Sequence, residues 1–547
     1  MQGLMQDFPL LISSLIQHAD RHHGAVEIVS RHVEGDIHRT TYRQLHARAR
    51  QLANALDAWG VGAGQRVATL AWNGHRHMEL YYAVAGKGAI VHTINPRLIP
   101  DQVAWIANHA GDTCLFFDLT FLPIVEKVAA QCTTVKRFVA MTDRAHMPAT
   151  TGMANLFCYE ELLAAQPTDY DWPVFDENAA SSICYTSGTT GNPKGVLYSH
   201  RSTLLHTFAV TAPDALNISS ADVILPVVPM FHVNAWGIPY AGAMNGAKLV
   251  FPGAALDGKS LYELIEAEKV TVSAGVPTVW QGLLTYLDQH ALRFSTMRRT
   301  IVGGAALPPA MLRTFEEKYQ IRAVHAWGMT EMSPVGTVCA LRAHHADLPR
   351  DQRYAVMAKQ GRAVYGVDMK IVDHDGNELP WDGKAFGDLY VRGPWIVREY
   401  FAAEGDDPLV RDAAGRAWFP TGDVATIDAD GYMQITDRSK DVIKSGGEWI
   451  SSIDIENVAV AHPAVAMAAC IGIAHPKWDE RPLLIVVRKP GAALTREELL
   501  KFYEGRVAKW QAPDDIAFVE SIPMGPTGKL LKNKLREQFR SYRFPVS

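Results

Sequence analysis

The sequence predicts an α/β protein: a large N-terminal domain of two doubly wound sheets plus a small β-rich subdomain, followed by a small mobile α+β C-terminal domain. Its 547 residues exceed what one hydrophobic core can organise. Strand and helix patterns alternate through the first two thirds, which is typical of parallel sheets covered by helices. After about residue 360, short strands separated by Asp-Gly turns indicate a smaller β-rich unit.

The elements of the N-terminal part follow from apolar spacing and turn residues. Apolar residues between Leu10 and Ile16 predict one face of a short helix that ends near Gly24. Thr41 is a suitable N-cap for a second helix, whose apolar residues from Leu45 onward recur at helical spacing. Another helix is expected over 260–268. Strands are expected over 66–71, 89–94, 113–117, 223–228, 248–251 and 270–274.

The C-terminal part changes character at a charged run, residues 437–441. Short strands are expected before it, over 367–372, 387–391 and 431–436. After it a compact tail is expected, with helices over 453–461 and 495–507 and strands over 466–473 and 483–487. We therefore divide the chain into a domain of residues 1–438 and a mobile domain of residues 439–547.

Composition excludes several classes of protein. A formal net charge of −5 gives no basic surface for nucleic acid. The six cysteines are scattered without paired spacing, and the 21 histidines form no zinc-finger pattern with them. The N-terminus lacks the features of a signal peptide, and the longest apolar stretch, near 464–474, is too short to span a bilayer. A cytoplasmic protein without a membrane span is expected.

The most informative segment is Tyr-Thr-Ser-Gly-Thr-Thr-Gly-Asn-Pro-Lys-Gly at 185–195. Glycines allow backbone N–H groups to surround an anion, while hydroxyls and a lysine add donors for phosphate. Apolar residues on both sides predict that the loop joins two strands. It differs from a Walker A loop, because no Gly-Lys-Ser/Thr follows at the required offset. The alternative is an ordinary surface turn, but few turns carry so many phosphate donors.

Four further segments carry side chains suited to a nucleotide and an acid, each with a simpler explanation. His232 lies in an apolar run, where a satisfied core histidine is the commoner case. The glycines at 303 and 304 follow a strand, where they allow a flat ligand close to the backbone or simply form a turn. Residues 325–331 offer an aromatic ring, a hydroxyl and a carboxylate. Asp423 is suited to ribose hydroxyls or to a Gly-Asp turn.

Lys529 completes this set, on a tight turn near the C-terminus where a lysine is usually just solvated. In this order the motifs resemble the adenylate-forming superfamily of acyl-CoA synthetases, luciferases and peptide-synthetase adenylation domains. The resemblance covers nearly the whole chain. Within the superfamily the segments 233–236 and 443–452 resemble fatty acyl-CoA synthetases and 3-methylmercaptopropionyl-CoA ligases most.

The resemblance implies a binding site for ATP. The phosphate loop would hold the β- and γ-phosphates, Trp327 and the backbone at 303–305 would enclose the adenine, and Asp423 with Arg438 would bind the ribose. Many relatives have Tyr where this chain has Trp327, and both can stack on adenine. The implied nucleotide contacts are Thr186, Ser187, Gly188, Thr189, Thr190, Gly191, Lys194, Gly303, Gly304, Ala305, His325, Ala326, Trp327, Gly328, Met329, Thr330, Asp423, Ile435 and Arg438.

The resemblance also implies the residues closest to the chemistry. Lys529 would contact the substrate carboxylate and the α-phosphate, while Thr190 and Glu331 would hold Mg²⁺. His232 would border the acyl pocket, and Trp236 resembles the gate of long-chain enzymes. Lys440 occupies the hinge position. Residues expected at the coenzyme A side are Lys444, Gly446, Gly447 and Glu448.

The function expected from these residues is an ATP-dependent, AMP-forming acyl-CoA synthetase. Bulky residues (Trp236, Trp280, Trp327 and Met329) near one pocket favour a short or medium acid, with 3-(methylthio)propanoate as the sharpest expectation. A Trp236 that rotates would instead open a tunnel for medium- or long-chain fatty acids. Rivals of other classes are a carrier-dependent adenylation module and a luciferase-like oxygenase. A homodimer is expected by analogy with long-chain relatives.

Overall fold

The computed structural model describes residues 1, 3–149, 152–153, 155–186, 193–402, 407–438, 440–445, 448–525 and 529–544, with only the backbone at 448 and 449. Strands β1 to β12 are Glu27–Arg31, Ile37–Thr41, Arg66–Leu70, Ile90–Thr93, Asp112–Phe117, Arg137–Ala140, Leu156–Cys158, Ala180–Tyr185, Gly195–Ser199, Val223–Pro226, Lys248–Phe251 and Val272–Gly275. Strands β13 to β26 are Arg299–Val302, Arg322–Gly328, Val335–Val338, Arg362–Ala363, Asp368–Val372, Phe386–Arg392, Val410–Arg411, Ala417–Ile427, Met433–Arg438, Ile443–Ser445, Glu448–Ile450, Val465–His475, Asp479–Arg488 and Asp515–Phe518.

Fifteen α-helices alternate with these strands in the described residues. Helices α1 to α8 are Ile12–His23, Tyr42–Ala58, His75–Gly86, Pro100–Ala110, Leu122–Val128, Tyr159–Ala164, His200–Thr211 and Ile238–Asn245. Helices α9 to α15 are Gly258–Ala267, Pro277–Gln289, Pro309–Arg313, Arg350–Met357, Ser452–Val460, Arg496–Phe502 and Lys532–Gln538.

Two large sheets form the N-terminal part. One has seven strands in the order β7-β6-β5-β3-β4-β8-β9, parallel except for the β8–β9 pair. The other has nine strands in the order β16-β15-β14-β13-β12-β10-β11-β1-β2, with parallel pairing from β14 to β1 and antiparallel pairing at both ends. These sheets confirm the predicted α/β class. Every residue of α3 is buried, as expected of a helix enclosed on all sides.

Two smaller sheets follow. Strands β17 to β21 form an antiparallel sheet in which β20 pairs with β18, β19 and β21, as the turn signals after residue 360 predict. The last sheet has the order β23-β22-β25-β24, and β26 pairs with β25 in parallel. Two apolar clusters pack against this last sheet, and all their residues lie between 443 and 544. The C-terminal part therefore has its own core.

Local boundaries differ modestly from the sequence prediction. The helix expected over 495–507 ends at Phe502, and Gly505 adopts φ 72°, a conformation that a helix cannot continue. Thr495 starts that helix as a capping box with Glu498. Thr41 caps α2, as predicted, by accepting a hydrogen bond from the Gln44 backbone N–H. In the described part of the chain, no helix is long and apolar enough to cross a membrane.

Candidate active site

The base of the phosphate loop is held by two neighbouring strands. β8 and β9 are antiparallel, so the loop joins two strands as predicted. The Thr186 backbone N–H donates to the Lys194 carbonyl over 2.9 Å, and the Lys194 N–H donates to the Thr186 hydroxyl over 3.1 Å. Both ends of the loop are thereby fixed to each other. The predicted contacts Ser187, Gly188, Thr189, Thr190 and Gly191 lie outside the described residues.

Tyr400 connects this loop to the predicted metal-binding carboxylate, and no motif in the sequence points to it. The Lys194 ammonium lies 4.8 Å from the centre of the Tyr400 ring. The Tyr400 hydroxyl donates to Glu331 Oε1 over 2.8 Å. Burial raises the pKa of Glu331, while this hydrogen bond and the charges of Arg438 and Lys529 oppose the rise. Glu331 is therefore a buried carboxylate surrounded by donors and cations.

A second buried carboxylate lies on β20, beside the predicted adenine site. Asp423 is 2% exposed, and its two oxygens have separate partners. The Trp327 indole N–H, from β14, donates to Oδ2 over 3.0 Å, and Arg438 Nε, from β21, lies 2.7 Å from Oδ1. Burial raises the pKa of Asp423, and Arg438 acts in the opposite direction. Because Asp423 and Arg438 are register partners on adjacent strands, the sheet itself sets this pair.

Lys529 reaches the same place from the C-terminal part. It follows a turn in which Met524 and Leu530 form an antiparallel bridge and the Gly525 N–H donates to the Lys529 carbonyl over 2.7 Å. Although the residue as a whole is exposed, desolvation lowers the pKa of its ammonium to about 8. The charge of Arg438 lowers that pKa further. Two carboxylates act in the opposite direction, those of Asp423 and Glu331. The lysine thus shares one electrostatic environment with the residues of both carboxylate sites.

The predicted acyl side is a left-handed turn. Val233, Asn234, Ala235 and Trp236 all have φ between 46° and 58°, which is strained for residues with a side chain. His232 precedes the turn. Burial, followed by the charge of Lys529, lowers the pKa of His232 to about 3, so its ring is neutral near pH 7.

Asn234 anchors this turn and was not selected as a site residue from the sequence. Its Nδ2 donates to Ser182 Oγ over 3.0 Å, and its Oδ1 accepts from the Tyr81 hydroxyl over 3.3 Å. Asn also tolerates the left-handed region better than most residues. Ser182 lies on β8, the strand that leads into the phosphate loop. One side chain therefore links the acyl side to the ATP side.

Gly303 separates Trp236 from the predicted adenine strand. A Cβ atom at position 303 would lie 2.9 Å from the Trp236 ring and 2.9 Å from the Ala326 carbonyl oxygen. Only glycine fits this approach without displacing one of them. Gly304 follows with φ 78°, where glycine is again preferred. The predicted acyl and adenine positions are thus in direct contact.

Several predicted nucleotide contacts support the site through hydrogen bonds within the protein. His325 Nε2 accepts from the Leu307 N–H over 3.2 Å, and its Nδ1 lies 2.9 Å from the Ala358 carbonyl, so both ring nitrogens are engaged. Met329 N–H donates to the Pro334 carbonyl over 3.1 Å. The Thr330 carbonyl accepts from the Tyr198 hydroxyl over 2.6 Å.

Backbone space restricts one further position of this segment. A Cβ atom at Gly328 would collide with the Pro334 carbonyl, so a side chain there requires the backbone to move. Ala305 follows the two glycines. Burial lowers the pKa of His325 to about 4. Hydrogen bonds to the backbone of Ala358, Lys359 and Ala305 oppose this shift, and the one to Ala305 contributes least.

Trp280 does not belong to this pocket, contrary to the sequence-based expectation. It lies in a cluster separate from the one that contains Trp236 and Trp327. Its ring is fully buried and meets Phe315 edge-on, with centroids 6.3 Å apart. Its position on α10 directs it into the core beside β12, which sequence spacing alone could not reveal.

Residues of both the N-terminal and the C-terminal part line a cleft of about 500 Å³. Ile435 lies on its N-terminal side, and its N–H donates to Gln360 Oε1 over 2.7 Å. Asp454 and Arg506 line the opposite side. Lys440 and Lys444 are exposed nearby along the chain, and the Lys444 N–H donates to Glu480 over 3.0 Å. Gly446, Gly447 and the Glu448 side chain lie outside the described residues.

Comparisons with known proteins agree with this geometry. The family described as "AMP-binding enzyme" matches residues 15–401, and its C-terminal domain matches residues 454–529. A 3-methylmercaptopropionyl-CoA ligase from Ruegeria lacuscaerulensis is 54% identical over 540 residues, covering 99% of each chain. A medium-chain-fatty-acid–CoA ligase from Ectopseudomonas oleovorans is 50% identical, covering 98% of each chain.

A solved structure shares the fold. The anthranilate CoA ligase in complex with anthranoyl-AMP superposes with a TM-score of 0.86 at 24% identity, covering 98% of this chain and 99% of the other. The superposition extends over both the large N-terminal part and the C-terminal part. It confirms the predicted architecture of two large sheets, a small β unit and a final α+β unit.

Proposed function

Because this chain belongs to the family of AMP-binding enzymes, we propose that it is an ATP-dependent, AMP-forming acyl-CoA synthetase for a short carboxylic acid. One observation carries the proposal: Lys529, from the C-terminal part, shares its electrostatic environment with Glu331, Asp423 and Arg438 of the N-terminal part. A cation facing two buried carboxylates suits a reaction in which charge develops on phosphate between them.

The first half-reaction joins the acid to AMP. A carboxylate oxygen of the substrate forms a bond to the α-phosphorus of ATP, and the bond from that phosphorus to pyrophosphate breaks. Lys529 would neutralise charge on the α-phosphate and on the attacking carboxylate. Lys194, held at the base of the loop, would contact the departing pyrophosphate. The acid itself supplies the nucleophile, so no protein side chain forms a covalent intermediate.

A magnesium ion fits this site. Glu331 offers a buried carboxylate oxygen, the ligand type that Mg²⁺ prefers. When bound by Glu331 and Thr190, the ion would supply positive charge against the β- and γ-phosphates. The adenosine would lie between Trp327 and the backbone at 303–305. Its ribose hydroxyls would bind Asp423, whose orientation the Arg438 pair maintains.

The second half-reaction transfers the acyl group to coenzyme A. The thiolate attacks the acyl carbon, and the bond between that carbon and the AMP oxygen breaks. We propose that the C-terminal domain, residues 439–547, turns about the hinge at Lys440 between the two steps. This turn would remove Lys529 and bring the segment containing Lys444, Gly446, Gly447 and Glu448 toward the pantetheine arm.

The acyl pocket favours a small substrate. Trp236 packs directly on Gly303, next to the position proposed for adenine, where its indole would occupy space that a long acyl chain needs. Met329, two positions after Trp327, is half-buried and offers a polarisable thioether. We therefore propose 3-(methylthio)propanoate as the substrate. The 50% identity to a medium-chain ligase supports octanoate as the second candidate.

A panel of acids tests this proposal. Turnover is measured as AMP release and as acyl-CoA by mass spectrometry, with 3-(methylthio)propanoate, butanoate, octanoate and palmitate. The highest kcat/KM is expected for 3-(methylthio)propanoate. A preference for palmitate would contradict the short pocket, and Trp236→Ala would then show whether the indole acts as a gate. AMP release without a CoA thioester would favour the adenylation-module or oxygenase alternatives.

The cellular setting is part of the same proposal. The six cysteines are buried and unpaired, which suits a reducing cytoplasm. Exposed apolar side chains at Leu4, Met5 and Phe8 support a homodimer. Light scattering on the purified chain measures its mass directly.

A further inference from the structure

Three histidines converge at a place that the proposed reaction does not use. His32 follows β1, His38 lies on the edge strand β2, and His75 is the first residue of α3. One ring nitrogen from each lies within 4.8 Å of the others. His32 Nε2 and His75 Nδ1 are 3.4 Å apart. The hairpin and the helix N-terminus thus bring together three ligands that are scattered in the sequence.

The spacing fits a tetrahedral zinc ion. Zinc binds imidazole nitrogen at about 2.0–2.1 Å, so two ligands of one tetrahedral ion lie about 3.3–3.4 Å apart. The His32–His75 nitrogen pair has this separation. Burial lowers the pKa of all three histidines, which keeps the rings neutral and able to coordinate near pH 7.

A carboxylate orients the first ligand. His32 Nδ1 lies 3.0 Å from Asp36 Oδ1. When the Nδ1–H donates to this carboxylate, Nε2 keeps its lone pair and accepts a hydrogen bond from His75 Nδ1–H. Zinc would replace this hydrogen bond, and the proton of His75 would then lie on its other ring nitrogen. Carboxylate–histidine pairs of this kind commonly support zinc ligands in proteins.

The surrounding charges also leave room for a divalent cation. Two arginines near the histidines form ion pairs with three glutamates. Together with Asp36, four carboxylates therefore surround these two cations. Glu34 is of particular interest, because among the described residues its buried Oε2 has no hydrogen-bond partner. The network consists of Arg48, Arg76, Glu34, Glu79 and Glu160.

A second cluster shows why this one is favoured. His344, His345 and Asp430 also offer three ligand atoms within 4.8 Å. However, His345 Nδ1 accepts from the Arg342 N–H over 3.1 Å, so in the neutral ring the proton lies on Nε2. The Arg342 guanidinium also donates to Asp430 over 3.2 Å. The nitrogen that would face a metal is therefore protonated, and this cluster serves as an internal control.

We propose that His32, His38 and His75 bind one zinc ion, with water as the fourth ligand, and that the ion fastens the β1–β2 hairpin to α3. His38 stacks on His75 with ring centroids 4.1 Å apart, so its ring turns out of the stack when it coordinates. His38 is only partly buried, which permits this rotation.

Metal titration of the whole chain tests the site. The protein is treated with a chelator, desalted and titrated with ZnCl₂ by calorimetry, and Co²⁺ absorption reports the coordination geometry. One ion per chain and a tetrahedral Co²⁺ spectrum are expected. His38→Ala and His32→Ala should each lower zinc affinity at least tenfold, whereas His344→Ala should leave it unchanged. A wild-type chain without stoichiometric zinc, or unchanged affinity in both variants, would overturn the proposal.

Two further measurements separate binding from folding. Asp36→Asn keeps all three ligands and should weaken zinc affinity by about 10–100-fold. Zinc should raise the melting temperature of the wild type but not of His38→Ala, whose circular dichroism confirms that it is folded. ATP–pyrophosphate exchange with Mg²⁺ should be the same for His38→Ala and the wild type. The zinc site can therefore fail or succeed independently of the proposed function.

Discussion

The two halves of the candidate site are built differently. In the N-terminal half, Trp327, Asp423 and Arg438 lie on three strands, and sheet register sets the Asp423–Arg438 pair. In the C-terminal half, Lys529 is an exposed residue whose ammonium is desolvated and interacts electrostatically with Arg438, Asp423 and Glu331 of the other half. The first arrangement is fixed when the sheets form, whereas the second depends on where the C-terminal part lies.

This difference suits a two-step reaction. Groups that bind the nucleotide are needed in both half-reactions, so they belong on rigid strands. A group needed only while pyrophosphate leaves can lie on an element that moves away afterwards. The division predicts that substitutions in the two halves have separable effects on the two steps.

The largest effect is expected at Lys529. Lys529→Ala removes the cation that we propose to face the α-phosphate, and loss of one such electrostatic contact typically costs about 10²–10³-fold in rate. ATP–pyrophosphate exchange should fall by about this factor. Conversion of a synthetic acyl-adenylate and coenzyme A to thioester should change only a few-fold.

Lys534→Ala provides the matched control, because Lys534 is an exposed lysine on α15, five positions further along the chain. In Lys534→Ala, both half-reactions should proceed at the wild-type rate. If exchange survives in Lys529→Ala, or if both half-reactions fall together, the assignment of Lys529 to the first step alone is wrong.

How far the sequence predicted the site depends on the kind of contact. Strand-borne motifs such as Trp327 and Asp423 were recognised, because their residue types and order survive in the linear sequence. The strands themselves followed from apolar runs between turns. That the phosphate loop joins two strands was also predicted, from the apolar residues on both of its sides, whereas the antiparallel pairing of β8 and β9 was seen only in the structure.

Contacts made only in three dimensions could not be predicted in the same way. Tyr400 is 69 positions from Glu331, and nothing in its local sequence marks the hydrogen bond between them. Asn234 follows His232 in an apolar run, but its partners on α3 and β8 depend on how the elements pack. Trp280 was placed in the wrong pocket because spacing does not tell which side of the sheet a helix covers.

The pH dependence of adenylation, the first half-reaction, also distinguishes the two halves of the candidate site. The proposed adenylation step uses Lys529 in its protonated form, and the pKa of this residue is lowered to about 8. The value of kcat/KM for ATP should therefore fall as pH rises through about 8, approaching a tenfold loss per pH unit above it. His232, with its pKa lowered to about 3, contributes no change between pH 6 and 10.

Lys529→Arg isolates this titration, because a guanidinium stays charged throughout that range. Its kcat/KM is expected to be lower at every pH, but the fall near pH 8 should disappear from exchange assays run from pH 6 to 10. A falling limb that is unchanged in Lys529→Arg would assign it to another group.

The smallest effect is expected within the N-terminal half, at Tyr400. Tyr400→Phe keeps the ring beside Lys194 and removes only the hydroxyl that donates to Glu331 over 2.8 Å. A hydrogen bond of this kind contributes about 1 kcal/mol net, so the exchange rate should fall about fivefold. Since the hydroxyl orients a carboxylate proposed to bind Mg²⁺, the concentration of Mg²⁺ needed for half-maximal exchange should rise.

Tyr390→Phe is the matched control, because Tyr390 is a partly buried tyrosine on β18 of the small antiparallel sheet. It should leave the Mg²⁺ dependence unchanged. A slower exchange in Tyr400→Phe with an unchanged Mg²⁺ dependence would mean that the hydroxyl supports the phosphate loop through Lys194 rather than Glu331. That result would mean that the Tyr400 hydroxyl acts on the pyrophosphate side of the site. The hydrogen bond to Glu331 would then make no contribution to Mg²⁺ binding.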